Sequence, residues 1–430
     1  MWRALWVVAV SCLAVPATRA QEDGPKRYPD IWIAGMTAYE KGDDATALDL
    51  LEQTAELAPG HPAVMYALAR VEARLGRAER ALRWLEKAAN VGASFEAHTD
   101  SAFVPLRGTD AFETILKTLE ANRTPRGYST VAFTIPEKDL IPEGIAYDPR
   151  SETLFVSSTY KRKIVAIDVQ GRIRNFTEEK QDGLWGVVGM EVDRERGVLW
   201  ANSCNAGTVM PLVDFDAASE WSAAVHEYDV RTGKLLQRHV LPNEPHEHFL
   251  NDLTVSSGGD VYITDSRYGA VFVIRADVDE LELFYKPERL AFPNGIALSP
   301  DERQVFVAHA GGILSIDVET RDPFPVAHPE DVTVNGIDGL ATWENSLIAH
   351  QPSLGRVVRF FLSEGQDRIV RAEVLEAHNP HFDGPTTGAV AGDRYFYIAN
   401  SQLRRFDENG DIFPVDQLDE VVILKLDLKR

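Results

Sequence analysis

The spacing of apolar and polar positions changes character twice along the chain. Residues 4–15 form an almost unbroken apolar run behind Arg3. From about residue 28 to residue 122, apolar residues recur at helical intervals. Beyond residue 130 that period disappears. Short apolar runs then follow one another, separated by Gly, Asp, Asn and Pro, which is the texture of many short strands. These textures predict a leader at 1–20, an all-α helical unit at 28–122 and an all-β unit at 130–430.

The helical part repeats itself. A shift of 34 residues superposes Gly42 on Gly76, Ala47 on Ala81, Leu48 on Leu82, Leu51 on Leu85, Glu52 on Glu86 and Ala55 on Ala89. Small residues allow paired helices to approach, the glycines end each first helix, and Asp43 and Asp44 suit a helix start. The stretch resembles two tetratricopeptide repeats, at 28–60 and 61–94, followed by a partial helix at 111–121. Two repeats are fewer than the about three that a free-standing solenoid needs, so the unit is expected to dock on the part that follows. The resemblance implies a possible protein partner for the helical repeats.

The β part also repeats. A unit with a turn, a glycine-containing strand start and an apolar second strand recurs as PEGIAYD, VGMEVD, NDLTVS, NGIALS, DGLATW and TGAVAG. The aligned starts fall at 143, 188, 251, 294, 338 and 387, so the intervals are 45, 63, 43, 44 and 49 residues. Units of about 40–50 residues are the size of four-stranded propeller blades. The fold class expected is therefore an all-β six-bladed propeller preceded by a small all-α helical unit. The long second interval is read as an insertion at 210–224. Either the early strand at 130–135 or the final run at 421–428 is expected to close the ring.

Composition narrows what such a protein can do. Arg3, the apolar run and the small residues at 17–20 before Gln21 are the layout of a cleavable secretory signal peptide, so the location expected is periplasmic or secreted. The run is shorter than the ~20 residues of a spanning helix, and no membrane span is expected. Beyond the leader only Cys204 remains, which excludes an intramolecular disulfide. A formal net charge of −22 repels phosphate backbones and anionic membranes, making nucleic acid a poor partner and a cation a good one.

Candidate chemistry lies in one column. The first positions of the six innermost strands read Glu143, Val188, Asn251, Asn294, Asp338 and Thr387. In a propeller these converge on one end of the central channel. Four are oxygen donors, two of them carboxylates, and none is Cys or His, a set that suits Ca²⁺ better than zinc or copper, with another divalent cation possible. Without a cation, Glu143 and Asp338 would repel each other in a partly dry channel. The competing explanation is that Asn and Asp are common turn residues at strand entries.

Residues 130–430 resemble the senescence-marker-protein/gluconolactonase superfamily, with its diisopropylfluorophosphatase and paraoxonase branches. The stretches that carry the resemblance are PEGIAYD (142–148), LND (250–252), FPNGIALSPD (292–301) and DGL (338–340). The resemblance implies that Glu143, Asn251, Asn294 and Asp338 bind a divalent cation, commonly Ca²⁺. It further implies that Asn251 lies at the substrate and that Asp338 is a general base, or a nucleophile in the phosphotriesterase branch. Two departures matter. Val188 stands where paraoxonases place a His, and Thr386 and Thr387 stand where strictosidine synthases place a catalytic Glu.

Strand direction adds further candidates. If second strands return to the metal end, their ends bring Asp265, His309 and His350 to the pocket mouth, where the two histidines could act as acid–base groups or simply cap strand ends. The run His246-Glu247-His248 lacks the HExxH register and is read as a pocket-lining loop. Cys204, with no evident base nearby, is read as inert. Two functions follow as expectations. The first is an exported Ca²⁺-dependent hydrolase of a small-molecule lactone or related ester, with Asp338, Asn251, His309 and His350 as catalytic candidates. The alternative is a non-catalytic binding or scaffold protein with a structural Ca²⁺ and a helical partner surface.

Overall fold

The protein is described here from a computed structural model, which covers residues 28–205, 221–242, 247–287, 290–330, 332–407 and 410–429. Five α-helices come first: α1 (Tyr28–Glu40), α2 (Asp44–Leu57), α3 (Pro62–Arg74), α4 (Ala78–Asn90) and α5 (Asp110–Asn122). Sequence dictates their ends. Asp43 accepts from Thr46 N at 3.1 Å as the N-cap of α2, and Gly42 and Gly76, both at positive φ, end α1 and α3. His61 Nδ1 takes the capping role for α3 by accepting from Ala63 N at 3.2 Å, with Pro62 at the first helical position. Ala81, Leu85, Ala88 and Ala89 of α4 are buried against Tyr66, Ala69 and Ala73 of α3, which is the close packing the small residues promised. Among the described residues no helix is long and apolar enough to cross a membrane.

Six antiparallel sheets follow. Their innermost strands are Ile145–Asp148, Gly186–Asp193, Leu250–Val255, Ile296–Leu298, Leu340–Thr342 and Gly388–Ala391. Each touches the next around a closed circle, and the last touches the first, so this is a six-bladed propeller. Second strands such as Thr153–Ser158 and Val261–Asp265 are buried along their whole length between neighbouring blades. That explains why they read as continuous apolar runs rather than alternating ones.

Ring closure uses both candidate strands rather than one. In the sixth blade Gly388–Ala391 is innermost, then Arg394–Ile398 and Val421–Asp427, with Thr130–Ile135 outermost. The chain is thus clasped where its start meets its end. In the second blade the third strand, Trp221–Asp229, already includes residues 221–224; the remainder of the expected insertion, like the expected leader, lies outside the described residues.

The helical unit docks on the propeller. Leu354, in the loop after the second strand of blade five, is 1% exposed because it completes the apolar core of α3, α4 and α5. Burying such a side chain is worth about 1.5–3 kcal/mol. Tyr28 and Ala58 pack on Ala310 of blade four, Asp30 pairs with Arg267 of blade three at 3.2 Å, and the linker strand Arg126–Gly127 adds to the outer edge of blade five.

Candidate functional site

The inner strands meet end to end around the channel through close backbone contacts. A Cβ on Gly144 would fall 2.0 Å from Val188 O, and one on Gly295 would fall 2.3 Å from Asp338 O. No side chain fits there, so the residue after each column position is glycine in five blades: Gly144, Gly189, Gly295, Gly339 and Gly388. The glycine at this place brings the preceding residue of each blade onto its neighbour. The circle closes where Thr386 Oγ1 donates to Glu143 O at 2.9 Å.

Glu143, Asn251, Asn294 and Asp338 are therefore held at one end of the channel by backbone that cannot retreat. Asn251 lies within its strand, while Glu143, Asn294 and Asp338 stand two residues before theirs. Local bonds fix each one. Ser157 Oγ accepts from Gly144 N at 2.7 Å beside Glu143, Asn294 N donates to Ala308 O at 2.8 Å, and Asp338 N donates to His350 O at 2.9 Å. Both carboxamide nitrogens donate inside the protein. Asn251 Nδ2 donates to Ser266 Oγ at 2.9 Å and Asn294 Nδ2 donates to Asp338 Oδ1 at 2.7 Å. Each keeps its carbonyl oxygen, the atom a hard cation binds, outside these bonds.

The electrostatics are one-sided. Withdrawal from water pushes the Glu143 carboxyl well above its ordinary range, and the charges of Asp338 and Asp252 push it the same way. Asp338 is raised to about 6 by withdrawal from water, moderated by the Asn294 bond. No positive side chain enters the balance on either group. A cluster of this kind is costly unless a cation compensates it, and four oxygen donors of which two are carboxylates fit a divalent ion of the calcium type.

Asp252 is a further carboxylate beside the candidate site that the sequence analysis does not single out. It occupies the glycine position of blade three, is half-buried, and has its carboxyl raised to about 8, chiefly by withdrawal from water. Its signal was present as the one non-glycine in that column. From the level of Asp252 the channel widens towards the opposite mouth, a cavity of about 380 Å³ whose lining includes Tyr147, Glu191, Thr254 and Thr387.

The side chains of the strand-end candidates are engaged with partners of their own. His350 has no exposed surface: its Nε2 lies 3.0 Å from Tyr395 Oη, its ring sits against Tyr395 and Tyr397, and burial lowers it to about 3. It serves Asp338 through its backbone carbonyl rather than through its ring. His309 Nδ1 accepts from Gly311 N at 3.1 Å, the local capping role, and burial lowers it to about 4. Asp265 is fully buried, accepting from Phe249 N and Tyr268 N and facing His248 Nδ1 at 2.5 Å. Glu247 pairs with Arg267 at 3.1 Å, and His246 lies outside the described residues. Cys204 is buried with its thiol pushed up and donating to Leu250 O, the surroundings of an unreactive cysteine.

The helical unit sits at this same end. Arg267, Ala310, Asn335 and Leu354, which meet it, belong to loops that lead into or out of the strand ends around the four donors.

Comparison with known proteins follows the same division. A tetratricopeptide-repeat profile matches residues 38–98. Among solved structures, a gluconolactonase from Xanthomonas campestris aligns at 17% identity over 68% of this chain and 88% of its own, with a TM-score of 0.45. A PQQ-bound aldose sugar dehydrogenase from Streptomyces coelicolor aligns at 14% identity over 70% and 99%, with a TM-score of 0.48. A virginiamycin B lyase from Staphylococcus aureus aligns at 14% identity over 70% and 99%, with a TM-score of 0.47. A search of curated proteins finds no match. The profile of the SMP-30/gluconolactonase/LRE-like region matches residues 141–389, more than half of the sequence, and the chain belongs to that family.

Proposed function

We propose that this protein is an exported Ca²⁺-dependent hydrolase of a small lactone or related ester. Support comes from the family and, above all, from the channel end where Glu143, Asn251, Asn294 and Asp338 meet with like charges and no cationic side chain to balance them. These four residues would hold the ion. Bound there, a divalent cation supplies Lewis-acid polarisation of a carbonyl oxygen.

The chain's own groups account for the rest. Asp338, with a carboxyl near 6, is mostly ionised at neutral pH and can take the proton of an attacking water. Its Oδ1 is held by Asn294 Nδ2, which leaves Oδ2 for that task. Asn251, anchored on Ser266, presents a fixed amide to orient the substrate. His309 and His350 are given no proton-transfer role because His309 Nδ1 accepts from Gly311 N and the His350 ring is enclosed by Tyr395 and Tyr397. Export rests on the leader-like residues 1–20.

The binding-protein reading keeps one specific observation in its favour. The helical unit carries a groove of about 400 Å³ lined by Phe95, His98, Leu116, Leu119 and Arg123. A protein partner for the repeats would use this side. Turnover of a panel of lactones, aryl esters and phosphotriesters, with and without chelator, separates the readings. Chelator-sensitive hydrolysis supports the enzyme, and no hydrolysis across the panel supports the binding protein.

A further inference from the structure

A second group of metal-ligating side chains lies on the outer part of the propeller, away from the channel. In blade two, Glu227 is on the third strand, Trp221–Asp229, and His239 is on the fourth, Leu235–Pro242. His239 pairs with Val225, two residues from Glu227, so strand alternation puts Glu227 and His239 on one face. Val225 on this face packs with Leu253 and Ile274 of blade three. From blade three the turn between Ala270–Ile274 and Leu281–Tyr285 brings Asp279 against them.

The ligand atoms of Glu227, His239 and Asp279 all lie within 4.8 Å of one another. His239 Nε2 and Asp279 Oδ1 are 3.5 Å apart, close to the about 3.4 Å edge of a tetrahedron with 2.0–2.1 Å bonds. The His239 side chain is 5% exposed, and its Nε2 has no hydrogen-bond partner. A buried nitrogen without a hydrogen-bond partner is a deficit that a bound metal ion would remove. Glu227 has a parallel deficit. The charges that bear on it are Asp279 and Asp193, both of its own sign, and they add to burial in raising its carboxyl.

We propose that Glu227, His239 and Asp279 form a second metal site, of the Zn²⁺ class, that clasps the outer strands of blade two to blade three. One imidazole and two carboxylates suit zinc rather than calcium, which takes oxygen ligands. Three protein ligands leave one position for water. The half-exposed Asp279 gives the ion a way in from solvent.

The test is calorimetric titration of Zn²⁺ into the full chain with Ca²⁺ in excess, so that the channel donors are occupied. One Zn²⁺ per chain is expected. Asp279→Asn should weaken it at least tenfold, the scale on which even outer-shell partners of a metal site act. Asp279 is on an exposed turn at a φ of 58° that Asn tolerates, so this variant should keep the wild-type melting temperature without zinc. His239→Ala should weaken zinc at least as much, and Glu143→Gln should leave it unchanged. Co²⁺ should give a visible absorption band of a four- or five-coordinate N,O site that Asp279→Asn alters. Absence of a zinc site in wild type overturns the proposal, as does a site that Asp279→Asn and His239→Ala leave intact or that Glu143→Gln removes.

Discussion

Asn294 Nδ2 donates to Asp338 Oδ1 across 2.7 Å, from the fourth blade to the fifth. The bond lowers the carboxyl of Asp338 against the opposing pull of burial, and it commits the amide so that its oxygen is the free end. One hydrogen bond therefore sets both the charge of the candidate base and the orientation of a candidate ligand.

Asn294→Ala removes both effects. Divalent-cation affinity is expected to fall at least tenfold, about 1.4 kcal/mol. Because a ligand of the folded state stabilises by mass action, the gain in melting temperature on adding Ca²⁺ should shrink with it. Scanning calorimetry of wild type and variant, with Ca²⁺ and with chelator, measures the change. An equal Ca²⁺ response in both proteins would count against Asn294 as a ligand.

The carboxylates make the cation-free protein sensitive to pH. Asp338 and Asp252 rise from 3.8 in the unfolded chain to about 6 and about 8 in the fold, and Glu143 shifts the same way. The folded state then binds more protons than the unfolded one between those values, so stability falls as pH rises. Their contribution is fully present below about pH 4 and is lost as pH climbs through 6 to 8. Denaturant unfolding in chelator should show this loss between pH 5 and pH 8, and excess Ca²⁺ should reverse most of it at pH 8. A chelated protein equally stable at both pH values would show that the cluster is compensated without a cation.

The propeller was legible because its blades repeat. Each second strand is buried on both faces and so appears as an apolar run, and five of the six inner strands carry a glycine where backbones touch, at Gly144 and Gly295 for example. The four candidate donors stand out in sequence for the same reason, since they occupy one register position. What escaped is what the repeat does not encode. His309 and His350 share an equivalent strand position, yet one ring caps its own turn and the other is enclosed by Tyr395 and Tyr397, an outcome set by sixth-blade residues with no register in common. The docking of the helices at the donor end depends on single contacts such as Leu354, which in sequence is only a loop leucine.

Asp252 is the informative exception in the glycine column. Asp252→Asn removes one of the charges that raise Glu143. In chelator at pH 8 the variant is expected to unfold at a higher temperature than wild type, while its Ca²⁺ affinity falls. The two measurements should move in opposite directions. If both fall, Asp252 is needed for packing instead of charge.

The central claim is that the ring of donors is a catalytic site in which Asp338 handles the proton. Asp338→Asn keeps the shape and an oxygen at that position while removing the charge and the basicity. Its rate should be measured on whichever lactone or ester the wild type turns over, after titration has shown the variant loaded with Ca²⁺. Hydrolysis is expected to fall by about 10² or more, the usual contribution of general base catalysis. A Ca²⁺-loaded Asp338→Asn protein that hydrolyses as fast as wild type would contradict the account.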